Sequence, residues 1–176
     1  MKKGKSKEKG SSFERLISKE LSLWLTNNKR DDIFWRTHSS GALGTISKKQ
    51  SQYGDIMSID DLGKILTDNF NIECRHGKCI KVKDLIYQPT KSSMVQFLKE
   101  GIINANTSHR RPLWIFRENG KLIMVIMNLE DWLKYSKEPN NYDNKKVVII
   151  LPKEKVILIS FEDWKNSINL LGENYV

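Results

Sequence analysis

The spacing of apolar residues changes period several times along the chain, and each change predicts an element. From Ser11 to about Thr26, the residues Phe13, Leu16, Ile17, Leu21 and Trp24 recur at helical spacing and make one buried stripe. Ser11 or Ser12 would cap that helix, Asn27-Asn28 would stop it, and Glu14 sits beside the stripe. Ile33 to Thr37 predicts a short strand, and His38 to Tyr53, polar and containing Gly41 and Gly44, predicts a loop or flap. Asp55 to Ile59 and Phe70 to Arg75 predict two strands, with a turn or one helical turn at Asp60 to Lys64 between them. Paired as a hairpin, these strands would set Asp55 near Glu73.

After a bend at His76-Gly77-Lys78, a short amphipathic piece covers Val82 to Ile86, and Pro89 breaks the chain. A helix from about Ser92 to Asn106 carries Met94, Val95, Leu98, Ile102 and Ala105 on one face. Pro112 to Arg117 and Lys121 to Met127 predict a hairpin turning at Glu118-Asn119-Gly120. A short helix, Leu129 to Tyr135, and a polar loop, Pro139 to Lys146, come next. Strands at Val147 to Leu151 and Val156 to Ile159 then lead to a last helix, Phe161 to Leu171. Two stretches echo each other: an apolar strand runs into Glu130-Asp131-Trp132, and another into Glu162-Asp163-Trp164. Two copies are too few for a repeat array, so the echo is one of architecture. Trp35, Trp114, Trp132 and Trp164 all read as packing residues.

A length of 176 residues favours one domain with a core that needs no staples. No apolar run approaches the ~20 residues that cross a bilayer, so no membrane partner is expected, and the default address is the cytoplasm. Charge narrows the partners further. Thirty Lys and Arg against 21 Asp and Glu give a net charge of +9, which favours a polyanion, although Lys-rich surfaces also keep proteins soluble. Residues 1–10 hold Lys2, Lys3, Lys5, Lys7 and Lys9 and predict a disordered basic arm. Cys74 and Cys79 have only His76 close by, too few ligands for structural zinc, and read as reduced thiols.

The candidate chemistry lies in four charged residues: Glu14 on the first helix, Asp55 after Gly54 at a strand start, and Glu73 with Arg75 on the next strand. Strand side chains alternate, so Glu73 and Arg75 share a face and Cys74 takes the other. Gly54 would let the chain bend sharply before Asp55. Paired carboxylates beside a cation suit metal-assisted phosphodiester hydrolysis, since Mg²⁺ takes hard oxygen ligands and keeps several waters.

In this order, Gly10-Ser11-Ser12-Phe13-Glu14-Arg15, Asp32-Ile33-Phe34-Trp35-Arg36-Thr37, Tyr53-Gly54-Asp55-Ile56, Ile72-Glu73-Cys74-Arg75 and Arg111-Pro112-Leu113-Trp114-Ile115-Phe116 span residues 10–127. The chain thereby resembles the PD-(D/E)XK nuclease superfamily, and within it phage and prophage proteins similar to Holliday-junction resolvases. The resemblance implies an α/β (α+β) fold, a central mixed β-sheet flanked by helices as in restriction endonucleases. It implies a nuclease core over 11–136 and a strand-helix extension of the same domain over 137–176. It places Mg²⁺, with Mn²⁺ as a substitute, on Asp55, Glu73 and the backbone carbonyl of Cys74, with Glu14 as an outer or second-metal ligand. Arg36, Ser39, Ser40, Lys48 and Lys49 would approach the DNA backbone, with Lys78 reaching in from the bend. Gln96 sits where related nucleases place a polar residue near phosphate, although a solvated position is the plainer reading.

The implied activity is an endonuclease acting on double-stranded or branched DNA such as Holliday junctions, in DNA recombination. A homodimer would make two symmetric cuts, in the cytoplasm of a bacterium or phage-infected host. One departure matters: Arg75 stands where the motif has Lys. Arginine cannot be deprotonated, so Arg75 cannot act as general base, though it can stabilise a charged phosphate. Two rivals follow: a non-catalytic nucleic-acid-binding protein with a degenerate nuclease fold, and a protein-interaction module using the elements after residue 110. His109, Arg110 and Arg111 would contact DNA or cap the preceding helix. Ser39 and Ser40 lack His–Asp partners, so a serine nucleophile is not supported.

Overall fold

A computed structural model describes residues 4–37, 53–87, 91–139, 146–151 and 155–170. Six helices are described: α1 (Gly4–Leu25), α2 (Asp61–Thr67), α3 (Lys83–Tyr87), α4 (Ser93–Ser108), α5 (Leu129–Tyr135) and α6 (Phe161–Ser167). The strands are β1 (Phe34–Arg36), β2 (Ile56–Ser58), β3 (Phe70–Gly77), β4 (Arg111–Glu118), β5 (Ile123–Asn128), β6 (Lys146–Ile150) and β7 (Lys155–Ser160).

Five strands form a mixed sheet in the order β3-β4-β5-β7-β6, in which β3 and β4 run parallel and the other neighbours antiparallel. Side-chain alternation divides this sheet's residues between two cores. On one face Ile72 and Cys74 of β3, Leu113 and Ile115 of β4 and Ile157 of β7 pack with Phe13, Ile17 and Leu21 of α1 and with Trp132 and Trp164. On the other face Trp114, Phe116, Ile126 and Leu158 pack with Met94, Phe97 and Leu98 of α4. Helices thus flank both faces of a mixed sheet, the restriction-endonuclease-like arrangement expected.

Several boundaries differ from the sequence expectation. Helix α1 starts at Gly4, inside the stretch read as a basic arm, because Ser11 and Ser12 turn their hydroxyls back to the Glu8 carbonyl and do not cap. Between the two strands expected to form a hairpin, α2 is a true helix capped by Asp60. Strand β2 pairs with β1, not with β3, and makes a separate two-stranded sheet. The last helix ends at Ser167. The predicted loop over 38–53 and most of that over 139–146 lie outside the described residues.

The echoed pair is structural. Asn128 caps α5 and Ser160 caps α6, and each helix buries its Trp, Trp132 and Trp164, completely. The helix ends then lock reciprocally: Lys137 N–H donates to Ser167 O and Asn169 N–H to Tyr135 O, both at 2.8 Å. Trp114 is core as expected, but Trp35 is 49% exposed, because Phe34 faces the α1 core and its neighbour must face out. Among the described residues, no helix is long and apolar enough to cross a membrane.

Candidate active site

Strand β3 carries the site and is an edge strand of its sheet, so one side of its backbone lacks a ladder partner. Asp55 occupies part of that side. Its N–H donates to the Ile72 carbonyl at 2.7 Å, and its Oδ2 accepts the Cys74 N–H at 2.8 Å. The aspartate therefore mimics one rung of a ladder and straddles Glu73, even though β2 is not a hairpin partner of β3. The carbonyl of a strand residue projects to the same side as its N–H, so the Cys74 carbonyl also faces this edge. Gly54 makes the approach possible. It has φ +85°, and a Cβ there would sit 3.0 Å from both Asn71 Oδ1 and the Ile72 carbonyl oxygen.

Glu73 is buried, 7% exposed, on the face that packs against α4. Asn71, two residues back on the same face, donates to Glu73 Oε1 at 2.8 Å, and Asn104 of α4 donates to the same oxygen at 2.9 Å. Both amides meet Oε1, which leaves Oε2 to a ligand. Burial raises the carboxyl pKa above the usual range, while Asn104, Asn71 and the charge of Arg75 pull it back. Aiming the Asn71 amide at Glu73 leaves Asn71 Oδ1 buried without a hydrogen-bond partner. Such an atom costs about 1–3 kcal/mol, a penalty spent on fixing Glu73.

Arg75 continues the same face. Its guanidinium donates to Glu100 of α4 at 2.9 Å and lies 4.8 Å from the centre of the Phe97 ring. Glu100 and Asn104 are one turn apart, so one helical stripe holds both the cation and the carboxylate of β3. Cys74 alternates to the α1 side, where burial, then the negative charges of Asp55, Glu14 and Glu73, push its thiol pKa well up. It stays protonated and is no nucleophile.

Glu14 and Arg36 pair with each other, Arg36 Nε donating to Glu14 Oε2 at 2.9 Å, with both side chains mostly buried. Among the described residues no three His, Cys, Asp or Glu side chains gather as a metal cluster, so Glu14 does not complete a set with Asp55 and Glu73. Lys78 is exposed in the turn after β3 and Gln96 is exposed on α4. Ser39, Ser40, Lys48 and Lys49 lie outside the described residues. In the basic turn, His109 ends α4 in the left-handed conformation with φ 55°. Arg111 bonds Asn69 and Tyr135 and pairs with Asp131 at 2.9 Å, roles that are structural.

The sequence reading missed Asn71, Asn104 and Glu100. Period-two spacing from Glu73 would have found Asn71. Nothing local marks the other two, which reach the site from a helix some thirty residues on.

An acid-bearing edge strand in a mixed sheet between helical layers is the arrangement expected of the PD-(D/E)XK class. The chain belongs to the family described as "Phage putative PDDEXK endonuclease", whose model matches residues 5–171. Neither a curated protein nor a solved structure matches it. Nucleases of this type use divalent metal ions. Oxygens of the hard kind that such an ion takes are present on Glu73, Asp55 and the Cys74 carbonyl.

Proposed function

We propose that the protein is a Mg²⁺-dependent endodeoxyribonuclease acting on branched DNA such as four-way junctions. The observation that carries the reading is Asp55, fixed by the Cys74 amide at the edge of β3 beside the buried, amide-held Glu73. Asp55, Glu73 and the Cys74 carbonyl would hold Mg²⁺, with Mn²⁺ as substitute. Bound there, the ion would acidify a water and offset charge on the phosphate.

The remaining work falls to the chain's own residues. Arg75 offers its guanidinium to a phosphate oxygen as negative charge develops. It takes no proton. Asn71 and Asn104 hold Glu73 in one rotamer, which keeps the donor set in place without reorganisation. Glu14 acts at one remove by holding Arg36 of β1, whose neighbour Thr37 donates its N–H to the Asp55 carbonyl at 2.9 Å. The net charge of +9 supports a DNA partner. The preference for branched DNA, the homodimer and the cytoplasmic setting come from the resemblance to junction-resolving proteins.

The test is incubation of the purified protein with supercoiled, linear and four-way-junction DNA, with and without Mg²⁺. Metal-dependent cutting with preference for the junction is expected. Cutting of all three substrates at one rate would remove the junction reading, and no cutting under any condition would remove the hydrolase.

A further inference from the structure

We infer that a basic cleft between α1 and the ends of β3 and β4 binds the phosphodiester backbone of the DNA strand as it leaves the cutting site. This rests on the nuclease reading above and adds a second contact to it. The cleft has a volume of about 560 Å³, and Lys9, Phe13, His76 and Arg117 line it. That space holds a nucleotide unit.

The walls are built in a definite way. His76 and Arg117 face each other across the parallel β3–β4 register, and alternation turns both to the α1 side. The Phe13 ring meets them there: the His76 ring lies 5.4 Å away at 45°, and the Arg117 guanidinium sits 5.4 Å from the ring centre. An apolar ring thus props up the guanidinium while its polar edge faces the cleft.

Charge selects the ligand. Arg30, Arg36, Arg75 and Arg111 each face a carboxylate. No ion pair to Arg117 or Lys9 occurs among the described residues. The two cations of the cleft thus meet one carboxylate, that of Glu8, without pairing to it. Glu8 on the rim is the opposing carboxylate, and Ser12 is already engaged with the Glu8 carbonyl. Donors free of ion pairs above an apolar floor suit a phosphate and its sugar.

Position completes the argument. His76 follows Glu73 by three residues on β3, about 10 Å at the usual rise, and alternation sets it on the α1 face where Glu73 takes the other. That distance is about three base steps of a DNA strand.

The experiment measures binding of a fluorescein-labelled four-way junction by anisotropy, from 50 to 200 mM salt, with Asp55→Asn present throughout to prevent cutting. Arg117→Gln and Lys9→Gln should each weaken binding about fivefold or more and make the log–log salt slope shallower by about one. Arg117→Lys should restore the slope, which a misfolded variant would not do. Affinity and slope equal to the parent would overturn the cleft while leaving the nuclease standing. So would loss of poly-glutamate binding in Arg117→Gln with DNA binding untouched, which would assign the cleft to acidic peptides. A parent protein that neither cuts nor binds any DNA would overturn both readings together.

Discussion

Asn104 on α4 donates its side-chain amide to Glu73 Oε1 at 2.9 Å, tying a helix on one layer to the acid of the edge strand. The bond compensates only partly for burying a carboxylate, since burial still raises the Glu73 pKa. The folded state therefore holds this proton more tightly than the unfolded chain. Stability from this group is full at low pH and is lost as pH rises from the ordinary carboxylate range through the raised value. Glu73→Gln should remove that slope and raise the urea midpoint of the metal-free protein at neutral pH. It should also abolish any rise in Tm caused by Mg²⁺. A variant as pH-sensitive and metal-responsive as the parent would contradict this account.

Removing either carboxylate should separate cutting from binding. Asp55→Ala and Glu73→Ala are each expected to slow junction cleavage by about three orders of magnitude, the scale of several kcal/mol of lost charge stabilisation. Affinity for the same DNA should change little, because phosphate contacts elsewhere supply most of it. Single-turnover cleavage and anisotropy on one preparation check both halves.

Arg75 gives a sharper test because it departs from the family's lysine. Acting by charge alone, Arg75→Lys should keep most of the activity, and Arg75→Met should lose about a hundredfold. Glu100→Gln, which frees the guanidinium, should not reduce the cleavage rate, since an exposed pair adds little to stability. If Arg75→Met cuts as fast as the parent, the residue has no part in the chemistry.

Gly101 lies on α4 against the sheet, where a Cβ would overlap the indole of the fully buried Trp114. Gly101→Ala should therefore destabilise the fold by about 1–3 kcal/mol despite its better helix propensity. Urea denaturation followed by Trp fluorescence measures it, and a stabilised variant would show that α4 can move away.

Much of the site was legible in the sequence, because Gly54 before Asp55 and the alternation of Glu73, Cys74 and Arg75 are local signals. The order of helices and strands followed from apolar periodicity for the same reason. What escaped depends on distant partners. Asp55 reaches β3 by bonding to its free edge, not by a hairpin, and the pattern of apolar residues does not encode which neighbour a strand chooses. Trp35 read as core because its strand is apolar, but a two-stranded sheet covers only one of its faces. Asn104 and Glu100 look like ordinary polar helix positions until α4 is docked.

The packing of α1 against α6 has a consequence for when the enzyme can form. Trp24 donates its indole N–H to the Lys165 carbonyl at 2.8 Å, its ring lies 5.2 Å from that of Trp164, and Lys165 reaches Glu20. The first of these contacts joins residues 141 positions apart, so the C-terminal end of the first helix waits for one of the last to be synthesised. On the ribosome the helix bearing Glu14 can pack early on β1 and β3, but its Trp24 end would stay unanchored until residue 165 has emerged.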